Sequence, residues 1–147
     1  MKMRAFYKPL NRMLEPDQIE SINFDTKVLG VYMEMDGKGY HRLRLSDFEI
    51  MWYTGLPDRN GKEVYEGDII QFEDMGEVGY EYKEGYDFTN QAVVVFENGR
   101  YTLDEFLDDN SGVMEELDDH EATCSVIQGS EVIGNRWTNP DLLEDRE

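Results

Sequence analysis

Cysteine is almost absent from this 147-residue chain. The single Cys124 cannot close an internal disulfide, which suits a reducing cytoplasm, and it reads as a small buried apolar residue. Histidine is nearly as scarce. His41 and His120 are too isolated in sequence to suggest a catalytic or metal-binding cluster. No apolar run follows Lys2 and Arg4, so no signal peptide is expected, and no stretch approaches a membrane span. Ser21, Ser46, Ser111, Ser125 and Ser130 lack the context of a nucleophile elbow, and there is no phosphate loop. No segment repeats at 20–50 residues, which excludes a solenoid. These absences point away from an enzyme, and no cofactor or metal is expected.

Basic residues are the next scarcity. The chain has 14 Lys/Arg against 33 Asp/Glu, a net charge of −19. The imbalance is local. Residues 1–62 hold ten bases and nine acids, whereas residues 63–147 hold four bases and twenty-four acids. A field of that sign repels nucleic-acid phosphates, so no direct nucleic-acid binding is expected. It also favours solubility.

What the chain does have is strand pattern and turn chemistry. Val31, Met33 and Met35 alternate with Tyr32 and Glu34, and Leu43 and Leu45 alternate with Arg42 and Arg44. Asp36-Gly37-Lys38-Gly39 between them predicts a hairpin, with Ser46 or Asp47 capping a short turn afterwards. Residues 1–15 read as an entry strand broken at Pro9 and Asn11, and Phe48–Tyr53 as another strand. Asn60-Gly61 is a tight-turn dipeptide, with Gly61 requiring positive φ. Gly67 interrupts the strand Glu63–Phe72 and predicts a bulge or bend. Ala92–Phe96 reads as a central strand covered on both faces, followed by the hairpin turn Asn98-Gly99. Val126-Ile127 and Val132-Ile133 read as short late strands. Asn139-Pro140-Asp141 predicts a capped helical turn. Between them, Asp104–Glu121 has apolar residues at helical spacing interrupted at Asn110-Ser111-Gly112. Val94, Phe96, Ile70 and Ile133 are the expected barrel core.

Several of these pieces carry a resemblance. Tyr53-Thr-Gly-Leu, then Asp58-x-Asn-Gly-Lys-Glu-Val-Tyr-Glu-Gly-Asp-Ile-Ile70, is similar to the YopX family of phage and prophage proteins. Met3-Arg4-Ala5-Phe6 with Met13-Leu14, Val93-Val-Val-Phe-Glu-Asn-Gly99, and Glu131-Val-Ile-Gly-Asn135 followed by Asn139-Pro-Asp-Leu-Leu143 agree in order. The resemblance implies an all-β protein with a small SH3-like barrel and no established activity, and it brings no functional residues. With the pattern above, it gives an N-terminal β-hairpin region over residues 1–52 and a barrel domain with short helical segments over 53–147.

Candidate functional residues lie outside those motifs. Tyr80, Tyr82 and Tyr86 sit in an acidic, glycine-rich stretch between Glu73 and Gln91, suited either to recognition or to covering an open barrel end. Asp108, Asp109, Glu115, Glu116, Asp118 and Asp119 form an acidic run. Asp108, Asn110 and Asp119 match positions 1, 3 and 12 of a calcium loop, but Val113 stands where that loop needs glycine, which disfavours the ion. Three functions remain in view. One is a non-enzymatic binding or assembly module for a protein partner, including another copy of itself. The alternative is a DNA mimic that inhibits a basic host DNA-binding protein. A hydrolytic or nucleotide-modifying enzyme is the third, and the missing motifs count against it.

Overall fold

A computed structural model describes residues 2–75 and 88–144. The chain is mainly β, with one α-helix and several single 3-10 turns among the described residues. It divides into two compact units, Met1–Trp52 and Tyr53–Glu147.

In the first unit β1 (Met3–Tyr7) and β2 (Arg12–Leu14) pair antiparallel around a turn in which Asn11 takes φ 53°. β3 (Ile19–Asn23), β4 (Val28–Met35) and β5 (Lys38–Arg44) form a three-stranded antiparallel sheet in that order. The β4–β5 connection is a two-residue turn, with Asp36 at φ 56° and Gly37 at φ 76°. Val31 and Met33 are buried and Tyr32 and Glu34 exposed, so the alternation in sequence sets the face. β6 (Phe48–Pro57) pairs through Phe48–Trp52 with β1. Met3, Ala5, Tyr7, Leu14 and Phe48 then pack against Leu29, Val31 and Met33, making one core between the two sets of strands. The expected cap by Ser46 or Asp47 is not formed. Arg44 occupies the cap position, and its guanidinium donates to the Asp47 carboxylate instead.

The second unit begins on β6, whose later half pairs with β7 (Glu63–Tyr65). The loop between them is a type I turn with a glycine bulge. Gly61 N donates to Asp58 O at 3.0 Å, Asp58 N donates to Lys62 O at 2.8 Å, and Gly61 sits at φ 82°. β8 (Asp68–Asp74), β9 (Phe88–Glu97) and β10 (Arg100–Asp104) form a meander, and β11 (Glu131–Asn135) returns to the free side of β8. The sheet order is β10-β9-β8-β11, curled as a small barrel-like half-shell. Gly67, at φ 88°, makes the bend before β8 and donates its N–H to Val94 O. Asn98 (φ 54°) and Gly99 (φ 83°) close β9–β10 as the expected two-residue turn.

Three expectations are corrected here. Val126-Ile127 is not a strand but lies in α1 (His120–Gly129), where Thr123 and Ile127 face inward at helical spacing. Phe96 shares a face with the buried Ala92 and Val94 but lies beyond the end of the core. It is 50% exposed and packs edge-on against Tyr101 at 5.0 Å. Ile133 is half-buried, while Ile70 and Val94 are fully enclosed with Val64, Ala92, Leu103, Phe106 and Ile127. Within Asp104–Glu121 the helical structure is one 3-10 turn, Met114–Glu116, followed by the Asp119 cap and the first residues of α1.

Candidate interaction surface

The acidic segment after β10 is held down by a buried polar cluster. Asp74, Asn90 and Ser111 are each at most 2% exposed. One Asp74 oxygen accepts from Asn90 Nδ2 at 3.0 Å and from Ser111 Oγ at 2.5 Å. The other accepts from the backbone N–H groups of Met75, Gly112 and Val113. Asn90 uses both ends of its amide on Asp108, donating to its carbonyl at 2.9 Å and accepting from its N–H at 3.0 Å. Ser111 also accepts from Met114 N. A carboxylate buried with this many donors holds the loop in one geometry, because any alternative would strand polar groups away from water. At the far end, the Arg100 guanidinium donates to the carbonyls of Leu117 and Asp118 at 2.6 and 3.0 Å.

The structure sorts the six acidic candidates into two kinds. Asp108 is half-buried and its carboxylate accepts from Asn110 N at 2.9 Å. Asp119 is the N-cap of α1, accepting from Glu121 N and Ala122 N. Both are local structural acceptors. Asp109, Glu115, Glu116 and Asp118 are exposed. Asp118 lies 3.9 Å from Arg100 with its side chain in solvent, a pair of little energetic weight. The carboxylates of Asp108 and Asp119 are thus engaged with nearby backbone N–H groups. Among the described residues no three His, Cys, Asp or Glu side chains stand together as a metal-binding group. Tyr80, Tyr82 and Tyr86 lie outside the described residues. Cys124, expected to be buried, is half-buried on α1, with its Sγ 3.6 Å from His120 Nε2. His41 Nε2 sits 3.0 Å from Lys38 O.

The motif residues are occupied by folding. Asp58 is buried at the β6–β7 turn. One oxygen accepts from Asn60 N and Lys62 N at 2.8 and 2.9 Å, the other from Val132 N at 3.0 Å. Burial alone would raise its pKa. The N–H donors of Val132, Lys62 and Asn60 outweigh that and leave it below the ordinary aspartate value. Asp68, fully buried, accepts from Tyr65 N. Gly134 leaves room for Asn139, whose Oδ1 would lie 2.6 Å from any Cβ there. That oxygen accepts from Asn135 N at 3.1 Å, and Asn135 in turn accepts from Trp137 N and Thr138 N. Asn139 therefore serves β11 rather than capping the turn Pro140–Leu143.

The family described as YopX protein matches residues 2–144. The chain belongs to the YopX family. Among solved structures the chain is similar to protein EF1440 from Enterococcus faecalis, 24% identical, with 97% of each chain covered and a TM-score of 0.57. That likeness bears on fold alone. No curated protein matches. Among the described residues no helix is long and apolar enough to cross a membrane.

Sequence reasoning missed Asp74, Asn90 and Ser111, the residues that position the acidic surface. Their partners are 16 to 39 residues apart, and no local spacing announces such a cluster.

Proposed function

We propose that this YopX protein is a non-enzymatic binding module whose acidic unit docks on a basic surface of a partner protein. The observation that carries the reading is the buried Asp74–Asn90–Ser111 cluster, which fixes a segment presenting Asp109, Glu115, Glu116 and Asp118 to solvent. A charged tail would gain little from such anchoring. A recognition surface gains pre-organisation, because its loop is ordered before the partner arrives. The motif residues Asp58, Asp68, Asn135 and Asn139 are spent on backbone contacts, which supports a scaffold rather than a reaction centre. The setting that fits is the cytoplasm of a bacterial host, with the protein of phage or prophage origin.

The test is capture of a basic host protein by the wild type and by a variant with Asp109, Glu115, Glu116 and Asp118 changed to Asn or Gln. Affinity should fall steeply with salt and collapse in the variant. Capture that survives both high salt and neutralisation would remove the acidic surface from the reading. Competition by duplex DNA for the captured partner would narrow the module to a DNA mimic, since the carboxylates would then occupy a phosphate site.

A further inference from the structure

The first unit has an open sheet edge with a knob at one end and a hole at the other. Among the described residues β3 (Ile19–Asn23) has a neighbouring strand, β4, on one side only. Directly after β3 comes Phe24, 62% exposed, the most exposed large apolar side chain among the described residues. Beside β3 lies a cleft of about 400 Å³ lined by Lys2, Met3, Pro16 and the four consecutive residues from Ile19 to Ile22. β3 is irregular between Ile19 and Ser21, so its side chains do not alternate strictly there, and four consecutive residues of the strand line the cleft. Its apolar surface comes from Met3, Pro16, Ile19 and Ile22, and its volume is ample for an aromatic ring.

We propose that this edge pairs with the same edge of a second copy, β3 against β3 about a two-fold axis, each Phe24 entering the other copy's cleft. The two-fold makes the strands antiparallel. Phe24, at the C-terminal end of one β3, then arrives beside Pro16–Ile19 at the N-terminal end of the other, where the cleft lies. Each copy gives its Phe24 and receives the other's, so the proposed contact is self-complementary and closes as a dimer rather than a filament. The edge backbone groups gain partners as in any strand addition.

Electrostatics favours this unit as the one that self-associates. Residues 1–52 hold eight Lys/Arg and eight Asp/Glu, so two such units approach without net repulsion. Residues 53–147 hold six and twenty-five, and two of those repel. The other edge of the sheet, β5, carries Lys38, Arg42 and Arg44, a charge pattern that discourages strand addition. β3 carries a single charge, Glu20. Its carboxylate is drawn across the sheet by the hydroxyls of Ser21 and Tyr40, at 2.6 and 3.0 Å.

The test is sedimentation equilibrium of the full chain from about 1 μM to about 1 mM, a range bracketing ordinary weak dimers. Wild type should show a monomer–dimer equilibrium, and the backbone amides of Ile19–Asn23 should gain exchange protection as the dimer fills. Phe24→Ser removes an exposed ring, so the monomer should keep its fold, while the dimer constant weakens by roughly tenfold or more. Neutralising the acidic unit should leave the dimer intact, and Phe24→Ser should leave capture of a basic partner intact. This contact and the proposed docking surface therefore fail independently. A wild type that stays monomeric across the range would overturn the proposal. So would a dimer indifferent to Phe24→Ser, or one that forms without protecting Ile19–Asn23.

Discussion

The two units bury apolar cores of similar character, yet one is electrically balanced and the other strongly acidic. The comparison shows that carboxylates do two separate jobs in the acidic unit. Asp58, Asp68 and Asp74 are buried and accept from backbone N–H groups, shaping turns that no apolar residue could satisfy. Asp109, Glu115, Glu116 and Asp118 are exposed. Net charge is thus a poor guide to which acids matter for stability. Burial and donor count are the better guide.

The sharpest way to break this comparison is Asp74→Ala. It leaves a buried serine hydroxyl and several N–H groups without their acceptor, at a cost of about 3–4 kcal/mol. Urea denaturation should show the loss, and amides of residues 108–114 should lose protection first. Asp58→Ala should follow at about 2–3 kcal/mol, since three N–H groups lose a charged acceptor. Asp58 also makes a pH prediction. Its folded pKa is depressed, so its contribution is present above the unfolded value near 3.9 and disappears as pH falls through the folded one. Wild type should therefore lose more stability than Asp58→Asn between about pH 5 and the acid limit. Equal losses would show that the carboxylate's charge is immaterial there.

Gly61→Val should cost about 1–3 kcal/mol. No atom lies within 4 Å of a Cβ at Gly61, so the whole effect would come from its φ of 82°. An unchanged midpoint would mean the turn relaxes freely. Phe96→Ala should cost below about 1 kcal/mol, because the ring is half in solvent. A loss of several kcal/mol would mean that the ring is enclosed in solution. Smallest of all, neutralising Asp109, Glu115, Glu116 and Asp118 should shift stability by no more than about 0.5 kcal/mol. A larger loss would dissolve the distinction between structural and displayed acids.

The turns were legible because their cause is local. Asp36-Gly37, Asn98-Gly99 and Gly61 adopt positive φ, and those residue types accept it at low steric cost. The alternation along β4 was legible for the same reason. Val126-Ile127 was misread because a short apolar pair fits either period. The deciding signal was Asp119, a capping residue placed ahead of the inward-facing Thr123 and Ile127. In the acidic run, composition could not separate Asp108 and Asp119, which accept from backbone, from the other four acids, which are exposed.

By itself the sequence determined the strand faces, the tight turns, the charge break and the family motifs, since each depends on neighbours along the chain. Tertiary structure alone decided that Phe96 runs past the core, that Asp74 joins Asn90 to Ser111, and that Asn139 fills the space left by Gly134. Those outcomes depend on where strands end and which distant backbone groups need acceptors. Burial and hydrogen-bond satisfaction become defined only when segments far apart in sequence are packed together.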